Sequence, residues 1–379
     1  MEVRKPLGLY FHIPFCRQKC VYCDFYSLPR REDRMQAYTD ALRRGLRPAE
    51  GYRVDTVYFG GGTPSYLGPE RLGELLAAVF RVFDVDPDAE ITLEANPDSA
   101  GDPDALRRLR DAGFNRLSLG MQSASDRALA ALGRVHTMAQ TRAAVDAARR
   151  AGFENLSLDL IYGLPGQSAA DWRETLDAAM GLGPEHLSCY GLKAEKGTPL
   201  YARREELPGD EVQAEMYLEA VDILEGRGYG LYEISNFARP GRFSRHNWKY
   251  WTLGEYLGFG PGAHSDFGGR RWAWERDLEA WIAGRARRSE SQTPTEAERR
   301  REWLMLGLRT ARGLDPEELR RRGGDFAPLL PFLERCREAG YACRENGRWR
   351  LTPAGFLVSN PIIGELLERL EAAEKGVRG

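Results

Sequence analysis

Cys16, Cys20 and Cys23 stand in the spacing C-x3-C-x2-C directly after an apolar run, while Cys189, Cys336 and Cys343 are scattered. A bunched set of thiols with no secretion signal ahead of it reads as a metal or redox site, not as a disulfide framework. Two chemistries compete. A structural zinc site takes four protein ligands, and this set stops at three unless His12 completes a tetrahedron. A 4Fe–4S cluster usually takes four thiolates. With three, one iron lacks a protein ligand and can bind a small molecule, as a cluster must if it is to pass an electron into a bound ligand. Further along, Gly60-Gly61-Gly62-Thr63-Pro64 permits close approach to the backbone. Glu94, Gln122 and Asp159 are polar residues set in other apolar runs.

Those residues need a scaffold, and its pattern is regular. Residues 8–15, 54–61, 91–97, 116–123, 155–163 and 186–192 are short β-branched or aromatic runs that read as strands. Between them lie helical patterns, such as residues 69–82 with Leu72, Leu75, Leu76, Val79 and Phe80 on one face, and others over 103–112 and 169–180. Strict alternation of strand and helix implies parallel strands with crossover helices. Six such units suggest a barrel or partial barrel, in which chemistry sits at the C-terminal ends of the strands. The cysteines follow strand one and the glycine run follows strand two. Glu94 lies on strand three, Gln122 at the end of strand four and Asp159 on strand five. Any one of them alone reads as a turn glycine or a surface polar group; all of them on one rim does not.

The whole chain has 379 residues, 42% hydrophobic and 29% charged, which excludes a disordered tail, a collagen or a coiled-coil rod. Its net charge of −2 excludes whole-chain basicity as a driver of nucleic-acid binding. Three segments are expected. Residues 1–240 carry the strand–helix repeat. Residues 241–290 are rich in Gly and aromatics, too apolar for a linker and too broken for long helices. Residues 291–379 form a module with helices starting at Thr295 and Asp315, a hairpin around Asn346-Gly347 and a last helix from about Pro361. Helices followed by a hairpin suggest a winged helix. The module holds 16 basic and 14 acidic residues, a charge of +2, so it reads as a packing module and not a DNA reader.

With these features in place, CxxxCxxC, with Tyr22 before its third cysteine, and GGGTP after strand two resemble the radical S-adenosylmethionine (SAM) enzymes. YFHIPFCRQKCVYCDF, GGGTPS, LEANPD, LGMQS, DLIYGLPGQ and GPGAHS together resemble the oxygen-independent coproporphyrinogen III oxidase group over nearly the whole chain. The resemblance implies a partial (β/α)6 TIM-like barrel of α/β class with a small C-terminal winged-helix-like α+β domain. It implies a 4Fe–4S cluster on Cys16, Cys20 and Cys23, and SAM held by Tyr10, Tyr22, Gly61, Gly62, Thr63, Glu94, Gln122, Arg134 and Asp159, with one or two SAM molecules. Two departures point to a sister branch of that group, the heme chaperones (HemW). The oxidases carry a fourth cysteine where this chain has Phe25, and they have a longer N-terminal extension. The stretch His246-Asn247-Trp248-Lys249-Tyr250-Trp251 also fits the HNxxYW motif associated with heme in that branch. The resemblance thus implies heme as cargo, contacts to it from His246, Asn247, Tyr250 and Trp251, and an acceptor hemoprotein as partner. The alternative it leaves is oxidative decarboxylation of coproporphyrinogen III to protoporphyrinogen IX by a 5′-deoxyadenosyl radical.

Blander readings stand beside these. His12 reads as a hydrogen-bonded core residue, His264 as a pocket-lining or packed one, and Cys189 as a small buried hydrophobe. Trp248, Tyr250 and Trp251 could equally be core. The heme segment follows the last strand and lies among glycines, so a mobile cover over the rim is expected. No segment approaches the length of a membrane span, so a cytoplasmic chain is expected, with peripheral membrane contact and a homodimer left open and no nucleic-acid partner.

Overall fold

A computed structural model describes residues 4–376. Six parallel strands run side by side in chain order: β1 (Lys5–Ile13), β2 (Tyr52–Gly61), β3 (Val85–Ala95), β4 (Arg116–Gln122), β5 (Leu156–Tyr162) and β6 (His186–Gly191). The crossovers carry α1 (Met35–Gly45), α2 (Pro69–Val82), α3 (Pro103–Ala112), α4 (Asp126–Ala131), α5 (Met138–Arg150) and α6 (Ala169–Gly181). After α7 (Asp210–Glu225), strands β7 (Gly230–Glu233) and β8 (Asn236–Ala238) add antiparallel beyond β6. The architecture is the expected α/β partial barrel. The sheet does not close, because β7 forms one edge and a later strand the other.

Both faces of these strands are buried, and they differ in kind. Leu7, Leu9, Phe11 and Ile13 of β1, Leu117, Leu119 and Met121 of β4, and Leu156, Leu158 and Leu160 of β5 point toward the helices. Each such side chain, fully buried, contributes roughly 1.5–3 kcal/mol. The alternate positions are polar: His12, Thr56, Tyr58, Thr92, Arg116, Ser118, Ser157, His186 and Ser188 are all buried as well. Side chains alternate along a strand with period two, so the apolar set builds the core and the polar set lines the concave side. That concave side is where ligands can be received.

The expected connecting segment joins the same sheet. After α8 (Arg245–Thr252), β9 (Tyr256–Phe259) pairs in parallel with β1, followed by β10 (His264–Phe267), β11 (Arg270–Trp274) and, beyond the short α9 (Leu278–Ile282), the edge strand β12 (Arg288–Gln292). Phe11 stacks between Phe59 and Phe259, with ring centroids 4.7 and 5.0 Å away, which ties β9 to the core. α8 packs against β2 and against the helix Glu296–Gly307, with His246 buried. The C-terminal part contains α10 (Glu296–Gly307), α11 (Pro316–Arg321), α12 (Leu330–Glu338), the hairpin β13 (Ala342–Glu345) and β14 (Arg348–Leu351), then α13 (Pro353–Leu357) and α14 (Ser359–Gly376). Thr295 and Glu298 form a capping box at the start of α10, and Asn346 and Gly347 both adopt positive φ in the hairpin turn. No helix among the described residues is long and apolar enough to cross a membrane.

Candidate functional site

The loop that carries the cysteines leaves β1 and is pinned at several backbone points. Val21 N donates to Leu132 O at 3.1 Å, Leu200 N donates to Val21 O at 3.0 Å, and Cys23 N donates to Cys20 O at 3.2 Å. Cys16 is buried; Cys20 and Cys23 are half-buried and face a cavity of about 430 Å³ at the C-terminal ends of the strands. Burial pushes the Cys16 thiol up to about 11, and burial raises Cys23 as well. Two of the sulfurs are joined by a hydrogen-bonded chain. Thr63 Oγ1 donates to Cys16 Sγ at 3.3 Å and accepts from Asn96 Nδ2 at 3.2 Å. Arg134 then donates to Asn96 Oδ1 at 2.7 Å, to Gly120 O at 2.9 Å and to Cys20 Sγ at 3.6 Å.

This donor set fits a 4Fe–4S cluster. Three thiols face one cavity, and a hydroxyl and a guanidinium donor point at two of the sulfurs, as suits thiolates. Among the described residues, no three His, Cys, Asp or Glu side chains converge closely enough to hold a single metal ion. His12 cannot complete a zinc tetrahedron as placed: its Nδ1 meets Tyr10 OH at 3.0 Å and its Nε2 meets Tyr26 O at 2.8 Å.

Most of the expected SAM residues line the same cavity: Tyr22, Gly61, Gly62, Thr63, Glu94, Gln122, Arg134 and Asp159. Glu94 Oε1 accepts from Tyr58 OH at 2.7 Å and Oε2 from Gly61 N at 3.0 Å, leaving lone pairs on both oxygens. Burial raises Glu94 to about 7, opposed by the Tyr58 hydrogen bond. Burial also raises Asp159, whose two oxygens accept from Ser118 Oγ at 3.3 Å. Gly62 shows why the glycine run is needed. A Cβ there would lie 2.8 Å from the carbonyl oxygens of Ile13 and Phe15. Gln122 sits at a register shift in β4 with φ of 65°, which turns its amide into the cavity mouth.

A second cavity, of about 530 Å³, lies against the first and shares Asp24, Phe25, Gly61, Glu94 and Tyr190 with it. Tyr10 lines this second space and not the first; its ring centroid lies 6.2 Å from that of Tyr58 and its hydroxyl meets His12 Nδ1 at 3.0 Å. Asn247 and Tyr250 also line the second cavity, whereas Trp251 lines neither and is half-buried against its own surroundings.

His246 lines neither cavity. It is fully buried, Nδ1 meets Thr56 Oγ1 at 2.9 Å and Nε2 meets Tyr250 OH at 2.8 Å. Its backbone N donates to Glu90 Oε1 at 3.0 Å, as Arg245 N does to Oε2. Both ring nitrogens are used, so in this arrangement it presents none to a ligand. Burial lowers it to about 3, with Lys249 and Arg116 acting in the same sense. A histidine depressed below its unfolded value of about 6.5 supplies stability that is present above that value and is lost as pH falls toward 3. Urea unfolding of the metal-free chain should therefore show a midpoint that drops from pH 7 to pH 5, with His246→Gln reducing the slope by up to about 1.4 kcal/mol per pH unit. An unchanged slope would place the acid sensitivity elsewhere.

Sequence reasoning missed Asn96, Ser118, Tyr58 and Tyr190. Asn96 stood inside the LEANPD motif, but only the fold shows it bridging Thr63 and Arg134. Period-two alternation on β2 and β4 could have flagged Tyr58 and Ser118.

Comparison with known proteins agrees with this geometry. The Radical SAM superfamily matches residues 10–179, and the HemN C-terminal domain matches residues 295–358. The chain is 36% identical over 377 residues to the heme chaperone HemW of Bacillus subtilis, covering 95% of this chain and 99% of that one. The chain belongs to the HemW family of radical SAM proteins. It is also 45% identical over 280 residues to HemW of Mycobacterium tuberculosis (strain ATCC 25618 / H37Rv), 71% of each chain. Among solved structures it is similar to the coproporphyrinogen III oxidase HemN of Escherichia coli, a radical SAM enzyme, with a TM-score of 0.82 over 96% of this chain and 90% of that one. At 24% identity that likeness establishes the shared fold. Membership of the radical SAM superfamily implies a 4Fe–4S cluster and SAM, and the cysteine-bearing cavity of this chain has the donors to hold them.

Proposed function

We propose that the chain is a heme chaperone, which holds a 4Fe–4S cluster and SAM in the first cavity, carries heme in the second and passes it to an acceptor hemoprotein. The observation that carries this reading is the pair of adjoining cavities. The second falls within the range of roughly 300–1,000 Å³ usual for ligand sites and is walled by Tyr10, Tyr58, Tyr250 and Tyr256, whose rings suit a flat apolar macrocycle. The relatives named heme chaperone support the same reading. When bound, the cluster would supply an electron through an iron without a protein ligand. The chain's own residues do the rest. Thr63 and Arg134 donate to sulfur, Glu94 would accept from the ribose hydroxyls of bound SAM, and Asn247 and Tyr250 line the second cavity.

Phe25 separates this reading from the oxidase alternative. It stands where the oxidases carry a fourth cysteine, is 63% exposed and borders both cavities. A phenyl ring at that mouth offers no thiolate. Incubated anaerobically with coproporphyrinogen III, SAM and a reductant, the cluster-loaded chain should form no protoporphyrinogen. Loaded with heme and mixed with an apo-hemoprotein, it should yield the holo spectrum of the acceptor. Robust decarboxylation would overturn the chaperone reading.

A further inference from the structure

We propose that His264 is the axial ligand of the heme iron, and that Arg276 pairs with a heme propionate, in the second cavity. The assignment rests on the functional reading above and deepens it by naming the ligand. It follows from where the five histidines of the chain lie, all of them within the described residues. Four are buried. His12 and His246 have both ring nitrogens engaged, as described. His186 Nδ1 meets Ser157 Oγ at 2.7 Å and its Nε2 meets Tyr232 OH at 2.8 Å. His136 Nε2 meets Met121 O at 3.3 Å, and its side chain lines neither cavity. His264 differs on every count. It is exposed, it lines the second cavity, and its ring makes no hydrogen bond to the described residues.

Its setting suits the role. His264 begins β10, held across from Ala273 of β11, so it projects from a strand and not from a loose loop. An imidazole with a free nitrogen on a rigid element is a common heme-iron ligand. The iron gains one Fe–N bond from the lone pair of an imidazole nitrogen, and no electron changes hands. Arg276 lines the same cavity and is exposed, with no carboxylate partner among the described residues, although the chain pairs many of its other arginines. Its planar fork matches a carboxylate with two parallel hydrogen bonds. The tyrosines between them supply ring faces and edges to the macrocycle. Within GPGAHS, residue type and spacing mark His264 only as a pocket-lining or packed residue. The cavity shows that lining is what exposes its nitrogens.

Hemin titration of the cluster-loaded chain, followed by difference spectra in the Soret region, tests this. His264→Ala should lose the wild-type Soret maximum and regain it when imidazole is added, a rescue that a merely structural role would not give. His246→Gln should keep the wild-type maximum. Arg276→Ala should weaken hemin binding and leave binding of hemin dimethyl ester, which has no free propionates, at the wild-type level. A wild-type spectrum and affinity in His264→Ala would overturn the ligand assignment while leaving the chaperone reading standing. Unchanged hemin affinity in Arg276→Ala would overturn the propionate pairing. Failure of the wild-type chain to bind hemin at all would overturn the functional reading and this assignment together.

Discussion

Anaerobic reconstitution should load about four irons per chain, the content of one 4Fe–4S cluster, and replacing Cys16, Cys20 or Cys23 with Ala should abolish the loading. The three thiols are gathered on one backbone-pinned loop and face one cavity. Removing one leaves two, too few to retain a cubane that already has one iron without a protein ligand. The expected effect is a loss of the cluster and its visible absorption, not a modest weakening. Loading should also depend on pH. Ligands must shed their protons to bind metal, and burial holds the Cys16 thiol up to about 11 in the metal-free chain. Iron uptake should therefore be slower and less complete at pH 6 than at pH 8. A tightly held zinc with no iron, or iron retained by Cys16→Ala, would contradict the assignment.

SAM affinity should fall by about ten- to a hundred-fold in Glu94→Ala, the equivalent of roughly 1.5–3 kcal/mol for one lost charged hydrogen-bonding partner. Glu94 lines both cavities, with Tyr58 and Gly61 occupying one lone pair on each oxygen. A vicinal diol can donate to both. The carboxylate is the better acceptor, and burial raises Glu94 to about 7. In the wild type, SAM binding should therefore strengthen as pH rises from 6 to 8, by up to about tenfold per unit below the raised value. Calorimetric titration of wild type and Glu94→Ala across that range checks both claims. The variant should bind weakly with no pH dependence from this group. Equal affinity in the two proteins would move the ribose elsewhere.

Much of the fold and of the first cavity is legible in the residues alone. Strand–helix alternation implies six parallel strands in chain order, because each apolar run is short and each intervening stretch repeats at helical spacing. The cysteine spacing, the glycine run and the polar residues Glu94, Gln122, Arg134 and Asp159 are readable as one site because parallel crossovers bring all strand ends to one rim. Local signals also carry the C-terminal part, where the Thr295 capping box and the Asn346-Gly347 turn act within a few residues.

What the sequence could not decide were the matters that depend on partners far apart in the chain. His246 and His264 are the same residue type, each in a distinctive motif, and nothing local separates a satisfied core imidazole from an available one. The separation comes from Thr56, which lies 190 residues from His246 and fills its Nδ1, and from β9 and β10, which carry His264 onto the sheet beside β1. Tyr10 likewise faces the second cavity because the neighbouring strand places Tyr58 and Glu94 where they are, a matter of register between strands. Residue type and spacing determined what chemistry the chain carries. Long-range hydrogen bonds and burial decided which side chains remain free to perform it, because a nitrogen already bonded inside the core has no lone pair or proton left for a ligand.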